Sequence, residues 1–108
     1  MSVTYSIQFD IVPAERDRFL TLQDGVLDAM RHEPMFHQAA LHEGPDDRNR
    51  LLLVETWQDH DDVVDIQLHR PYRHAFHEAL PKVLAQPRDV SVWRMRREDR
   101  SGNQKSGA

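Results

Sequence analysis

At 108 residues the chain has the length of one domain and no room for a second independent core. Hydrophobic residues make up 39% and charged residues 30%, a globular balance that argues against disorder. A formal net charge of -4 gives no basic footprint for nucleic acid, and the absence of cysteine removes disulfide, thiol and thiolate-metal chemistry.

No apolar run approaches the roughly 18 residues that a membrane span requires. The first residues alternate as a strand does and lack a basic-then-apolar signal pattern, so a cytoplasmic location is expected. Val3, Tyr5, Ile7, Phe9 and Ile11 alternate with polar residues, which predicts a strand with one buried face. Pro13 opens a helix, with Glu15 and Asp17 placed where negative charge suits the helix dipole. Phe19, Leu22, Val26, Leu27 and Met30 recur at helical spacing, and Pro34 sets the latest possible end. Residues Met35 to Glu43 read as a weaker second strand, and Gly44 to Asn49 as a loop. Leu51 to Trp57 is a third strand, with apolar side chains on both faces.

Asp59 is placed to cap a short helix running through Val63, Val64 and Leu68. Pro71 starts another, with Tyr72, Ala75, Phe76, Ala79 and Leu80 on one stripe. Pro81 is expected to kink or end it, Val83 and Leu84 continue the stripe, and Pro87 stops it. Asp89 to Met95 forms the fourth strand. Arg94, Arg96 and Arg97 beside Glu98 and Asp99 read as a solvated strand end, so the domain is expected to occupy residues 1–98, with a mobile tail over 99–108.

This order predicts an α+β, ferredoxin-like βαββαβ sandwich, an antiparallel sheet with helices on one face. The helices cover one side of the sheet only, yet Leu52 and Val54 point opposite to Leu51, Leu53, Glu55 and Trp57. Leaving such side chains in water forfeits roughly 1.5–3 kcal/mol each. A second copy packed on the open face removes that exposure, so a homodimer is expected.

Several segments carry a family resemblance. Phe9-Asp10-Ile11-Val12-Pro13 leads into Phe19-Leu20-Thr21-Leu22, and Arg31-His32-Glu33-Pro34-Met35-Phe36 enters the second strand. Ala40 to Asp47 crosses the hairpin, Glu55-Thr56-Trp57-Gln58-Asp59 ends the third strand, and His69-Arg70-Pro71-Tyr72 with Phe76 opens the last helix. Over about residues 3 to 96 the chain resembles the antibiotic-biosynthesis-monooxygenase-like domains, also described as quinol monooxygenases, of the dimeric α+β barrel superfamily.

The resemblance implies a cofactor-independent monooxygenase that oxidises a small phenolic, hydroquinone or polyketide-like aromatic with dioxygen. The deprotonated substrate is then itself the reductant, and the protein supplies a base, hydrogen-bond donors and an apolar enclosure. No flavin fingerprint or glycine-rich phosphate loop is present in the sequence. His69 is the candidate base, since histidine titrates near neutral pH and this one sits at a helix junction. The family often carries a histidine two positions earlier, where this chain has Gln67.

Glu55 and Trp57 share a strand face and complete the candidate catalytic set. Glu55 would orient a histidine or pair with an arginine, and Trp57 would stack on substrate or pack the core. Ile7, Phe9, Tyr72 and Phe76 are the candidate substrate-binding wall. The seven histidines raise a metal or haem alternative. His74 and His77 stand three apart on the last helix, but no HExxH motif accompanies them, and the expected reading is a solvated histidine-rich face with no metal. Haem-degrading members of the same superfamily leave His74 or His77 as an axial ligand, and a non-catalytic dimer that binds small aromatics is the third possibility.

Overall fold

The computed structural model describes residues 2–102. The expected tail of residues 99–108 lies outside the described residues from position 103 onward. Four strands, β1 (Val3–Asp10), β2 (Phe36–Glu43), β3 (Arg50–Trp57) and β4 (Asp89–Trp93), form one antiparallel sheet in the order β2-β3-β1-β4. Helices α1 (Arg16–Met30), α2 (His60–Asp65) and α3 (His74–Val83) connect them with short 3-10 turns at Pro13–Glu15, Gln67–His69 and Pro71–Arg73. The sequence expectation of a ferredoxin-like α+β sandwich holds.

Register explains the two faces. Tyr5 opposes Glu55 and Val92, and Ile7 opposes Leu53 and Val90, so these side chains share the helix side of the sheet. Ser6, Val54 and Ser91 share the other side, as do Thr4, Thr56 and Trp93. On the helix side Phe9 and Phe19 have ring centroids 5.0 Å apart, with Phe76 at 6.2 and 5.8 Å from them. This aromatic cluster joins β1, α1 and α3, and Val26, Met30, Leu51, Leu53, Ala79 and Val83 extend the core around it.

The connections are held by specific bonds. In the β2–β3 hairpin the Gly44 amide donates to the Arg50 carbonyl at 2.8 Å. A Cβ at Gly44 would lie 2.8 Å from the Asp47 carbonyl oxygen, closer than packing permits, which is why glycine stands there. Arg16 at the start of α1 reaches this hairpin, donating to the Arg48 carbonyl and pairing with Glu43 at 2.9 Å. Asp59 caps α2 as expected, its Oδ2 accepting from the Asp62 amide at 3.0 Å.

Four local expectations change. α2 stops at Asp65 and a 3-10 turn follows, leaving Val64 and Leu68 exposed while only Val63 is buried. α3 runs through Pro81 to Val83: the ring removes the donor for the His77 carbonyl, but the Leu84 amide still bonds the Leu80 carbonyl at 3.0 Å and closes the next turn. β4 ends at Trp93 instead of Met95, because its pairing with β1 stops at Thr4. Ala75, expected on the buried stripe of the last helix, is exposed.

Candidate active site

Alternation along β3 points Glu55 and Trp57 into the layer between sheet and helices. Both are buried, and Trp57 Nε1 donates to Glu55 Oε1 at 3.3 Å. The Trp57 ring meets Phe36 edge-on at 5.2 Å, and the Arg73 guanidinium lies over it at 5.9 Å. That guanidinium also lies 5.7 Å from the Tyr72 ring. Tyr72 is held in turn by Glu33 at the end of the α1 connection, its hydroxyl donating to Oε2 at 2.9 Å. Arg70 clamps the same carboxylate through Nε at 3.0 Å and Nη2 at 3.2 Å. Burial, then the Glu33 hydrogen bond, raises the Tyr72 phenol. Tyr5 faces the cluster from β1, its hydroxyl paired with His60 Nδ1 at 2.7 Å. Burial, reinforced by Glu55, Asp59 and Asp61, pushes that phenol up to about 12.

Arg73 is only 5% exposed, and its Nε and Nη2 are buried without a hydrogen-bond partner. One helical turn further along the same face of α3 stands His77, whose Nε2 is also buried and unpaired. His77 lines a cavity of about 520 Å³ with Leu80, Pro81, Leu84 and the segment Ala85 to Arg88. The electrostatics follow from the burial. The Glu55 carboxyl is raised by desolvation, against the opposing pull of Arg73, the Trp57 hydrogen bond and Arg88. The His77 imidazole is lowered by desolvation and by Arg88 and Arg73, which favours its neutral form. Arg88 is lowered by desolvation and by Arg73. A neutral imidazole with an unpaired nitrogen, on a residue that lines a cavity, can accept a proton, and the Arg88 guanidinium in the same lining can hold the anion left behind.

The sequence candidates divide. Glu55 and Trp57 come together as expected, with Tyr72 beside them through Arg73. Phe9 and Phe76 are buried in the aromatic core, and Ile7 packs against it. His69 is exposed at the end of its 3-10 turn, whereas Gln67, at the position where the family often has histidine, is the buried residue. Gln67 Nε2 donates to Asp62 Oδ2 at 3.1 Å, leaving its Oε1 buried and unpaired. None of the seven candidates lines the 520 Å³ cavity.

Arg73 and Arg88 were not expected from sequence, and His77 was expected on a solvated face. That last expectation is corrected: His74 is exposed, but His77 turns inward because it shares the stripe of Phe76 and Leu80. The visible signal was an arginine and a histidine four apart on an otherwise apolar stripe. Among the described residues no group of three or more His, Asp or Glu side chains is placed to hold a metal ion. No helix among them is long and apolar enough to cross a membrane.

Fold and site together define a ferredoxin-like α+β domain with a cavity walled by His77, Arg88 and apolar residues at the C-terminal end of α3. The family described as antibiotic biosynthesis monooxygenase matches residues 2–85, and the chain belongs to that family. Among curated proteins it is similar to the uncharacterized protein sll1783 of Synechocystis sp., at 25% identity over 85 residues. That match takes in 79% of this chain and 57% of the relative, so the chain spans little more than half of that protein. Among solved structures, Rv0793 from Mycobacterium tuberculosis superposes with a TM-score of 0.82 and 21% identity, covering 91% of this chain and 98% of that one. SnoaB, a cofactor-independent oxygenase from Streptomyces nogalater, superposes with a TM-score of 0.74 and 21% identity, covering 90% and 95%.

Proposed function

We propose that the chain is a cofactor-independent monooxygenase that oxidises a small phenolic or hydroquinone-type aromatic with dioxygen, working as a homodimer. The observation that carries this reading is His77, which lines the 520 Å³ cavity and keeps its buried Nε2 without a hydrogen-bond partner, in a chain of this family. The cavity is within the size range of small-molecule sites and is walled by Leu80, Pro81 and Leu84.

His77, kept neutral by burial, accepts the phenolic proton at Nε2, and Arg88 in the cavity lining stabilises the phenolate, with the buried charge of Arg73 behind it. The electron-rich anion passes electrons to dioxygen. For an anthrone-type carbon two hydrogens are replaced by one oxygen atom, and the second oxygen leaves as water, with all four electrons coming from the substrate. Glu55 and Trp57 act here by positioning: they fix the Arg73 side chain and offset part of its charge.

Oxygen uptake by the purified full chain over a panel of hydroquinones and anthrone-type phenols tests this. His77→Ala is expected to lower turnover by roughly 10²–10⁴-fold. His69→Ala, at an exposed position, is expected to retain it. The reverse pattern returns the base role to His69. No uptake with any phenol sinks the oxygenase reading: ligand-induced stabilisation without uptake leaves a binding protein, and a Soret band on adding haemin points to haem.

A further inference from the structure

Two exposed patches adjoin at one end of the sheet. The first is the uncovered face of β4, where Val90 and Val92 stay exposed although register turns them toward the helices. Arg94 follows, and with Val92 it lines a surface cavity of about 460 Å³ that also takes in Asp59 and His60 at the start of α2. The second patch is α2 and the turn after it, where Asp61, Val64, Asp65, Ile66 and Leu68 are exposed. Tyr5 ties the two together: it opposes Val92 across the strands, and its hydroxyl meets His60 Nδ1 at 2.7 Å. One patch is therefore apolar and basic, the other apolar and acidic. Among the described residues neither Arg94 nor Asp61 nor Asp65 enters an ion pair. β4 is also an edge strand, but a short one with Arg88 and Asp89 at its start and Arg94 at its end. Charges placed so discourage another strand from adding to the edge and leave the face of β4, not its edge, as the surface to be covered.

We propose that this surface is a contact between two copies of the chain related by a two-fold axis. α2 of each copy lies over the β4 face of the other, with Val64 and Leu68 against Val90 and Val92, and Asp61 and Asp65 beside Arg94. The patches stand side by side in one chain with opposite charge, so a two-fold rotation brings each onto its complement and forms the same contact twice. A foreign acidic partner would cover β4 and leave Val64, Ile66 and Leu68 in water; a second copy removes both exposures at once. The contact lies apart from the open sheet face of Leu52 and Val54 and is additional to a dimer formed there. It does not depend on the oxygenase reading.

Charge-swapped variants of the full chain, followed by sedimentation equilibrium, test the proposal. Val92→Glu with Arg94→Glu makes the β4 patch acidic, so it meets an acidic α2. Val64→Lys with Asp65→Lys makes the α2 patch basic, so it meets a basic β4. All four positions are exposed, and circular dichroism with a thermal melt checks that each variant folds. Each variant alone is expected to have half the parent's mass. An equimolar mixture of the two is expected to recover the parent's mass, because each altered patch then faces its altered complement. Where a double variant does not fold, the single reversals Arg94→Glu and Asp65→Lys serve in the same mixing test. A monomeric parent, the parent's mass in either variant alone, or no recovery in the mixture overturns the proposal. The result is separable from the open-face dimer: a parent dimer broken by lysines at Leu52 and Val54, but not by the charge swaps, overturns this contact and leaves that one standing.

Discussion

Glu55 is the residue where burial and charge work against each other most directly. Desolvation raises its carboxyl above the ordinary value of 4.5, while Arg73, the Trp57 hydrogen bond and Arg88 pull it back. The folded chain therefore keeps this proton to a higher pH than the unfolded chain does. Across that window the folded state binds more protons, so this group's contribution to stability is lost as pH rises above the ordinary carboxyl value. Glu55→Gln removes the effect. The melting temperature of the variant relative to the parent is expected to climb with pH through that window, and a gap that stays constant would show a carboxyl that titrates as in the unfolded chain. His77 acts with the opposite sign. Its folded value lies below 6.5, so the unfolded chain binds the extra proton and stability rises with pH through the region below that value. Glu55 was readable as a carboxylate on the inner face of β3, whereas His77 reads from sequence as part of a solvated face. What Glu55 meets was not readable, because Arg73 and Arg88 come from other parts of the chain, and Arg88 reaches His77 from beyond the end of α3.

At the scale of elements, the aromatic cluster of Phe9, Phe19 and Phe76 pins β1, α1 and α3 together. Phe19 is fully buried, so Phe19→Ala is expected to cost about 3–5 kcal/mol, from lost transfer energy and the cavity left behind. Urea unfolding measures this; a loss below 1 kcal/mol would mean that the helices reseat without it. The strands and the long helix were legible from alternation, from helical spacing and from the Asp59 cap. The segment from Asp65 to Arg73 was not. Local pattern ran the helix on to Leu68, whereas tertiary bonds divide it: Gln67 turns inward to Asp62, and Arg70 and Tyr72 are drawn to Glu33 at the end of α1. Contacts between residues 37 and 39 positions apart leave no local trace in the sequence.

For the whole molecule the question is what covers the open face of the sheet. Leu52 and Val54 are half-buried there, Thr56 is buried, and Trp93 is 59% exposed with its Nε1 bonded to Ser6 Oγ at 2.9 Å. If a second copy packs on this face, replacing Leu52 and Val54 together by lysine places two charges in the interface and is expected to give monomer or insoluble protein. Sedimentation equilibrium decides it: a dimer that survives puts the interface elsewhere, and a monomeric parent removes it. The helix side is incompletely covered too. Val90 and Val92 face it by register, yet are 46% and 56% exposed.

Periodicity, prolines and caps are local, and they determined the order of elements, the buried face of each and hence the ferredoxin-like sandwich. They also placed Glu55 and Trp57 on the inner face of β3, since two residues apart on a strand means one side of the sheet. Only the tertiary structure decided that Gln67 and not His69 turns inward, that His77 lines a cavity, and that the Arg73 guanidinium lies over Trp57 with its Nε and Nη2 unpaired. The reason is physical. Which face a residue occupies follows from its neighbours in the chain, but whether its polar atoms find partners depends on side chains supplied by distant elements, and in this protein that accounting defines the site.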